Sequence, residues 1–406
     1  MEKQENRHQA YDLAQMQSLP LEVKIRMTKE RIKVWYESWT RFEVCNTKTG
    51  KTRFKTIDTR ERDAEPPLKD NEWVKSAIDG QAYVSFSGGK DSTVLADLCA
   101  RVCQKYGWTL YLLFINTGLE YPEIQKFVPT FAEWLRNTYK IEVVLDVLRP
   151  EIRFDDVIKK YGYPAISKEI SEIIYYAKYA KDGAYKTTRI QRLNGEWTDT
   201  NGNKSQFNCE KWRFMLDAPF DVSHHCCGVM KKRPAQKYTR QTGRKQIVGT
   251  LANESRLRHQ QWLRQGCNAF EAKKPSSQPL SFWTEQDILH YIKKYDVPYC
   301  SVYGNIVVDF KDNVPNDQIN IIDYIGDYHP DDQLRTTGCN RTGCIFCMFG
   351  CHREKSPNRF QMLKETHPRQ YEYCIGGGEM VNGKWQPNKQ GLGLGKVLDY
   401  IGVKYD

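Results

Sequence analysis

Nowhere in the 406 residues do about 18 apolar side chains follow one another, so a membrane-spanning helix is not expected. The stretch from Met1 to Gln15 is polar and has no apolar leader core, which points to a cytoplasmic protein. Internal repeats and low-complexity tracts are also missing, which excludes repeat arrays. The most distinctive glycine turn of the chain, at residues 87–92, has neither the Walker spacing Gly-x-x-x-x-Gly-Lys-Ser/Thr nor the dinucleotide spacing Gly-x-Gly-x-x-Gly.

Apolar material is not scarce: 40% of the residues are hydrophobic and 12% aromatic, enough for a sizeable core and against wholesale disorder. The length suits one large domain or two to three smaller ones. Thirteen cysteines exceed what packing needs, and in a reducing compartment clustered thiols indicate metal or redox chemistry rather than disulfides. The formal net charge is +11, and residues 178–245 hold 15 Lys/Arg against 6 Asp/Glu. Two readings of that excess stand: a footprint for nucleic acid, or a solvated surface with a pocket for a polyanionic nucleotide.

Residues 82–92, Ala-Tyr-Val-Ser-Phe-Ser-Gly-Gly-Lys-Asp-Ser, say the most. A short apolar strand, Ala82 to Phe86, enters a Ser-Gly-Gly turn, and an amphipathic helix follows over Thr93 to Lys105. Such a turn aims backbone N–H groups and a helix N-terminus at one spot, which suits phosphate. Gly88 and Gly89 permit close approach and positive φ. Lys90 adds a cation, and Ser87 and Ser92 add hydroxyls. The plainer reading is an ordinary βα turn with a serine N-cap.

Residues 1–40 read as mostly helical, either packed on the core or serving as an arm for a partner or DNA. Residues 41–70 read as a polar connector ending in Glu65-Pro66-Pro67. From residue 72 the pattern becomes α/β. Strands are expected over Thr109–Asn116, Ile141–Leu148 and Gln246–Leu251, with helices over Tyr121–Tyr139, Ile166–Tyr179 and Thr284–Tyr295, the last capped by Thr284. Alternation of this kind implies a parallel twisted sheet with helices on both faces, preceded by the helical arm and followed by a cysteine-rich segment. Ligands of such sheets bind at the carboxyl ends of the strands, where Ser87–Ser92 and Thr117-Gly118 fall. A basic insertion is expected near 180–215, and short strands and turns over 303–328. The corresponding domain division is 1–70, 71–300 and 301–406.

Three further clusters carry chemistry. His224-His225-Cys226-Cys227 precedes Lys231-Lys232-Arg233. Adjacent cysteines make strained disulfides, and nearby cations should depress both thiol pKa values. Gly249-Thr250 leads through Glu254-Ser255 to Arg256 and Arg258, either phosphate ligands or a salt-bridged helix start. Cys339, Cys344, Cys347 and Cys351 fall within 13 residues, and four thiolates suit zinc or an iron–sulfur cluster equally. His352 reads as structural.

The turn Ser87-Gly-Gly-Lys-Asp-Ser92 resembles the PP-loop of the adenine nucleotide alpha hydrolase superfamily. The order of motifs extends the likeness: Asn116-Thr-Gly118, Cys226-Cys-x3-Lys231-x2-Pro234, Gly249-Thr-x3-Glu-Ser-Arg256, Trp283-Thr-x2-Asp-Ile288, and Gly343-Cys-x2-Cys347. Over roughly residues 75–352 the chain resembles the phosphoadenosine phosphosulfate reductase family. The resemblance implies that Ser87, Gly88, Gly89, Lys90, Asp91 and Ser92 bind phosphates. It puts Asn116, Thr117 and Gly118 near the adenosine, and Glu254 on the nucleotide side. Lys231 and Arg256 would meet the anionic end, so that Lys90, Asp91, Lys231 and Arg256 become the catalytic candidates. It implies a [4Fe–4S] cluster on Cys226, Cys227, Cys344 and Cys347, with Cys339 and Cys351 as a competing local pair and zinc as the other metal.

One departure matters. Sulfate-reducing members end in Glu-Cys-Gly-Leu/Ile-His, and this chain offers only Cys374 in its tail. The clustered cysteines also resemble those of the sulfur-incorporating ATP pyrophosphatase of DNA phosphorothioation systems. The implied function is an ATP pyrophosphatase or adenylyltransferase that uses Mg²⁺ and activates an acceptor, DNA or RNA among the candidates, for sulfur transfer. A cysteine desulfurase or another donor would supply the sulfur. The alternatives are an adenylylsulfate or phosphoadenylylsulfate reductase and a non-catalytic nucleotide- or DNA-binding module.

Overall fold

The computed structural model describes residues 7–60, 66–309 and 332–406. The chain divides into two compact units. Unit one is Met1–Asn116, Glu120–Leu148 and Ala235–Thr342; unit two is Thr117–Leu119, Arg149–Pro234 and Gly343–Asp406. This division differs from the boundaries drawn at residues 70 and 300, because strand pairing and core packing, not composition, decide which segments belong together.

Unit one begins with helices α1 (Ala10–Gln17) and α2 (Leu21–Glu37). Strands β1 (Trp39–Asn46), β2 (Thr52–Asp58) and β3 (Glu72–Ile78) follow as an antiparallel sheet in the order β2-β1-β3. The expected connector is therefore largely sheet. Its alternation is masked in sequence by charged residues such as Arg53 and Lys55, which pair with Glu72 of β3. The tail of that connector, residues 61–65, lies outside the described residues, as does most of 303–328.

The main sheet holds β4 (Ala82–Ser85), β5 (Leu110–Ile115), β6 (Val143–Leu148), β7 (Lys245–Val248), β8 (Asn268–Ala269) and β9 (Ser276–Ser277), in the order β6-β5-β4-β7-β9-β8. All neighbours are parallel except β8 with β9. The strands pack helices on both faces. Val84, Leu112 and Phe114 share a core with α3 (Lys90–Tyr106), α4 (Pro122–Tyr139) and α10 (Glu285–Tyr295). Tyr83 and Leu113 point the other way, onto Ala235 and Tyr238 of α8 (Arg233–Thr242). Period-two alternation of this kind in strands covered on both sides explains their near-continuous apolar runs. Thr284 caps α10 as expected, accepting from the Asp287 N–H at 3.2 Å. Helix α3 starts at Lys90, with Gly89 at its N-cap.

Buried Asp97 of α3 ties three helices together. It accepts from the hydroxyls of Tyr139 and Tyr291 and from Arg101 Nε at 2.8 Å. Both oxygens of this buried carboxylate thus have donors, which offsets the cost of its burial.

Unit two contains α5 (Phe154–Tyr161), α6 (Lys168–Tyr179) and α7 (Ala184–Asn194), then short helices through to the C-terminus. The Ser167 hydroxyl caps α6 by accepting from Ile170 N–H at 3.2 Å. The basic stretch 180–215 is ordered rather than a loose insertion. It carries α7, a bridge between Thr198 and Lys204, and a 3-10 segment over Glu210–Asp217. Three of its cations are ion-paired: Arg192 with Glu169 at 2.7 Å, Lys204 with Glu210 at 2.7 Å, and Lys186 with Asp182 at 3.0 Å. No helix among the described residues is long and apolar enough to cross a membrane.

Candidate functional site

In unit one, β4 lies between β5 and β7, so the chain leaves β4 at the point where strand order reverses. Open parallel sheets offer their ligand crevice there, at the carboxyl ends of the strands. The loop at that point is Ser87-Gly88-Gly89, followed at once by α3. Gly88 has φ +73°, and a Cβ on it would meet Ile124 at 2.9 Å and Val128 at 3.0 Å, so only glycine fits. The Ser87 and Ser92 hydroxyls lie 3.0 Å apart, and Ser92 Oγ also accepts from Ser87 N–H at 3.2 Å and donates to Gly89 O at 2.9 Å. These bonds close the loop into a small ring of backbone and hydroxyl donors.

Lys90 is almost fully buried. Its Nζ donates to Asn340 O at 3.0 Å and lies 3.0 Å from the Glu285 carboxylate and 3.9 Å from Asp91. Burial pushes the Asp91 carboxyl up, against the pull of Lys90, Arg341 and Arg258. At the C-terminal end of β5, the Asn116 N–H donates to Leu148 O at 2.8 Å.

Beyond β7, Glu254 is engaged locally. It accepts from Leu251 N–H at 3.0 Å and pairs with Arg258. Arg256 begins α9 (Arg256–Gln265), capped by Ser255, and lines a groove with Asn253, His259, Gln260 and Leu263. The arginine whose charge acts on Asp91 is Arg258, one helical step on, together with Arg341. The family resemblance singled out Arg256, with Arg258 named beside it as a phosphate candidate.

In unit two, Cys226, Cys227, Cys344 and Cys347 line one cavity, with Leu119, Phe154, Pro164, Met230 and Lys231 as its remaining wall. Cys226 and Cys227 Sγ atoms are 3.9 Å apart. The chain after them makes a π-helical turn, Gly228–Lys232, which brings Lys231 to the cavity. Thr117 and Gly118 form a tight turn in which Thr117 Oγ1 accepts from Leu119 N–H at 3.2 Å. Leu119 O then accepts from Ile345 N–H at 2.8 Å, inside the Cys344-x2-Cys347 loop. Cys347 O is held by Arg359 Nη1 at 2.9 Å, and Arg359 in turn pairs with Glu354.

The expectation that both adjacent thiols ionise easily is corrected. A hydrogen bond from Cys226, then Lys168, Lys231 and Lys232, lowers Cys227 to about 6. Cys226 moves up, because it keeps the shared proton and is buried. Two thiols in contact cannot both be the first to lose a proton. Cys347 is also raised by burial.

Cys339 and Cys351 do not line the cavity. Cys339 belongs to unit one, where its N–H bonds Val302 O at 3.1 Å, and burial raises its thiol to about 11. Cys351 is buried, with its Sγ 3.0 Å from Met348 O. Among the described residues, no group of three or more His, Cys, Asp or Glu side chains is set to hold a single metal ion. The donor chemistry of the cavity, four thiols in an apolar wall with one lysine, nevertheless fits a thiolate-held cluster.

Tyr303, Thr342, Asn340 and Glu285 stand at the glycine loop without any sequence signal. They come from far along the chain, and no spacing rule links them to residues 87–92.

A family model described as the phosphoadenosine phosphosulfate reductase domain matches residues 81–189 and 169–348. Among solved structures, the chain is similar to NMN synthetase from Francisella tularensis, at 15% identity over 54% of this chain and 63% of that one, with a TM-score of 0.25. It is also similar to U34-tRNA thiolase NcsA from Methanococcus maripaludis with its [4Fe-4S] cluster, at 14% identity over 55% of this chain and 61% of that one, with a TM-score of 0.27. The chain thus spans about three fifths of the length of these proteins. No curated protein matches it. The family match runs over more than half of the chain and takes in the glycine loop and both cysteine pairs, and on that ground the protein belongs to the phosphoadenosine phosphosulfate reductase domain family, with a nucleotide-using α/β domain.

Proposed function

We propose that the protein is an ATP pyrophosphatase that adenylylates an acceptor for sulfur transfer and carries an iron–sulfur cluster. One observation carries this reading: two cysteine pairs, far apart in sequence, line one apolar cavity in a chain that also bears an intact Ser-Gly-Gly-Lys-Asp-Ser loop. ATP enters as its Mg²⁺ complex. The loop N–H groups, the Ser87 and Ser92 hydroxyls and Lys90 hold the polyphosphate and stabilise charge on the leaving pyrophosphate. An acceptor oxygen attacks the α phosphorus, the bond to the β phosphate breaks, and the acceptor is left adenylylated. A sulfur nucleophile from a cysteine desulfurase or another donor then displaces AMP. Cys226, Cys227, Cys344 and Cys347 would hold the cluster, which supplies an iron able to carry sulfur. Lys231 keeps positive charge beside these thiolates. The surplus of basic residues suits DNA or RNA as acceptor, with binding that weakens steeply as salt rises.

A reductase of adenylylated sulfate is the second reading, and the family match favours it. It requires a thiol from outside, because Cys374, the sole cysteine after Cys351, is fully buried and its thiol is pushed up by that burial.

The test is anaerobic purification with iron, zinc and sulfide analysis, then incubation with ATP and with both adenylylated sulfates. Iron and sulfide with pyrophosphate release that DNA or tRNA stimulates is the expected result. Sulfite release from an adenylylated sulfate, without ATP cleavage, would overturn it in favour of the reductase.

A further inference from the structure

The first amides of a helix have no partner within the helix, and in a phosphate-binding loop they are the groups that face the anion. In α3 the first of them is already taken. The Lys90 N–H donates to the Tyr303 hydroxyl at 3.1 Å, and that hydroxyl lies 2.7 Å from Thr342 Oγ1. Both side chains press on the loop itself. A Cβ placed on Gly89 would lie 2.7 Å from Thr342 Oγ1 and 3.2 Å from the Tyr303 hydroxyl. Tyr303 is buried, so its position is fixed by packing. The loop's cation is engaged as well: Lys90 Nζ is bound by Asn340 O and by Glu285, each at 3.0 Å.

We infer that Tyr303 and Thr342 form a built-in stopper of the phosphate-binding loop, and that an incoming polyphosphate must displace the Tyr303 hydroxyl from the Lys90 N–H. The inference rests on the proposed use of this loop for the phosphates of an adenine nucleotide. Tyr303 is a competitor for the phosphate rather than a ligand of it. A polyphosphate oxygen, being charged, makes the stronger bond to the same amide and wins the exchange. Thr342 Oγ1, 2.7 Å from that hydroxyl, helps to hold it against the loop. Nucleotides that bring few phosphate oxygens to the loop gain too little to open it, so the stopper favours triphosphates over monophosphates.

The experiment compares the full-length wild type with Tyr303→Phe and Thr342→Val, using calorimetric titration with ATP, AMP and inorganic pyrophosphate. Phenylalanine keeps the packing and removes only the competing acceptor. Tyr303→Phe should bind ATP and pyrophosphate about 3- to 10-fold more tightly, the range of one net hydrogen bond. Thr342→Val should shift binding in the same direction by less, and the preference for ATP over AMP should shrink in both. Weaker or unchanged binding in Tyr303→Phe, with wild-type binding intact, would overturn the stopper and leave the nucleotide reading standing. Absence of ATP binding in the wild type and in both variants would overturn both. Binding that appears only in the variants would support both.

Discussion

Lys24 of α2 reaches across to Asp287 of α10 and forms a buried two-point ion pair, with Nζ 2.8 Å from Oδ1 and 2.7 Å from Oδ2. Asp287 also accepts from the Thr284 N–H at 2.7 Å and from its hydroxyl at 2.8 Å, so one carboxylate both caps α10 and anchors the N-terminal helix. Removing the lysine leaves a buried carboxylate with only its capping bonds. Lys24→Met should therefore cost about 2–4 kcal/mol of stability. Chemical denaturation reads this directly, and a loss under ~1 kcal/mol would mean that α2 is held by its apolar face alone.

The four cavity cysteines and the two outlying ones should separate cleanly. Serine at Cys226, Cys227, Cys344 or Cys347 should lower iron and sulfide content at least several-fold in anaerobically purified protein. Serine at Cys339 or Cys351 should leave the metal content near wild type. Loss of metal in the Cys339 variant with retention in the Cys226 variant would reverse the assignment.

At the glycine loop, Lys90→Ala should reduce pyrophosphate release by about 100-fold, as expected for a preorganised charge that faces the leaving group. Gly88→Ala should impair ATP binding by about 10-fold or more, because the residue has φ +73° and the added methyl meets Ile124 and Val128. Rates within a factor of three of wild type for both variants would remove the loop from the chemistry.

Cys374 should be silent. It is fully buried, and burial raises its thiol far above the ordinary cysteine value. Cys374→Ala should lose about 1 kcal/mol of stability and retain full turnover. A collapse of activity in a folded variant would identify Cys374 as the sulfur nucleophile.

Acid should loosen the β1–β3 sheet through Glu72. Hydrogen bonds from Arg53, at 2.6 Å from Nε, and from the Lys69 N–H, at 3.0 Å, lower its carboxyl from 4.5 to about 2. A carboxylate whose pKa is depressed in the folded state stabilises it above the unfolded value, and that contribution is lost as pH falls from 4.5 towards 2. Glu72→Gln should accordingly lower the melting temperature at pH 6 and have no effect near pH 2. An equal shift at both pH values would exclude this linkage.

Much of the nucleotide domain was legible in the sequence. Apolar runs with strand and helix periods gave β4, β5, β6, α3, α4 and α10 to within a few residues, because β4 and β5 are largely buried and the helices carry a regular apolar face. The antiparallel strands β1 and β2 were not legible. Five of their fifteen residues, Arg41, Glu43, Arg53, Lys55 and Asp58, are charged, so they read as a polar connector.

The sequence by itself determined the chemistry available: a Ser-Gly-Gly-Lys-Asp-Ser turn with glycine at Gly88, where φ is +73° (Gly89, expected to share that freedom, is extended with φ −77°), adjacent thiols at Cys226 and Cys227, and a Cys344-x2-Cys347 loop. These are local features, set by backbone conformation and side-chain identity within a few residues. Tertiary structure decided which of them meet. It brought Cys226 and Cys227 to the cavity of Cys344 and Cys347, left Cys339 and Cys351 outside it, and set Tyr303 and Thr342 against Gly89. The physical reason is that contacts between segments far apart in the chain depend on the packing of helices and strands between them, and no short-range pattern encodes that packing.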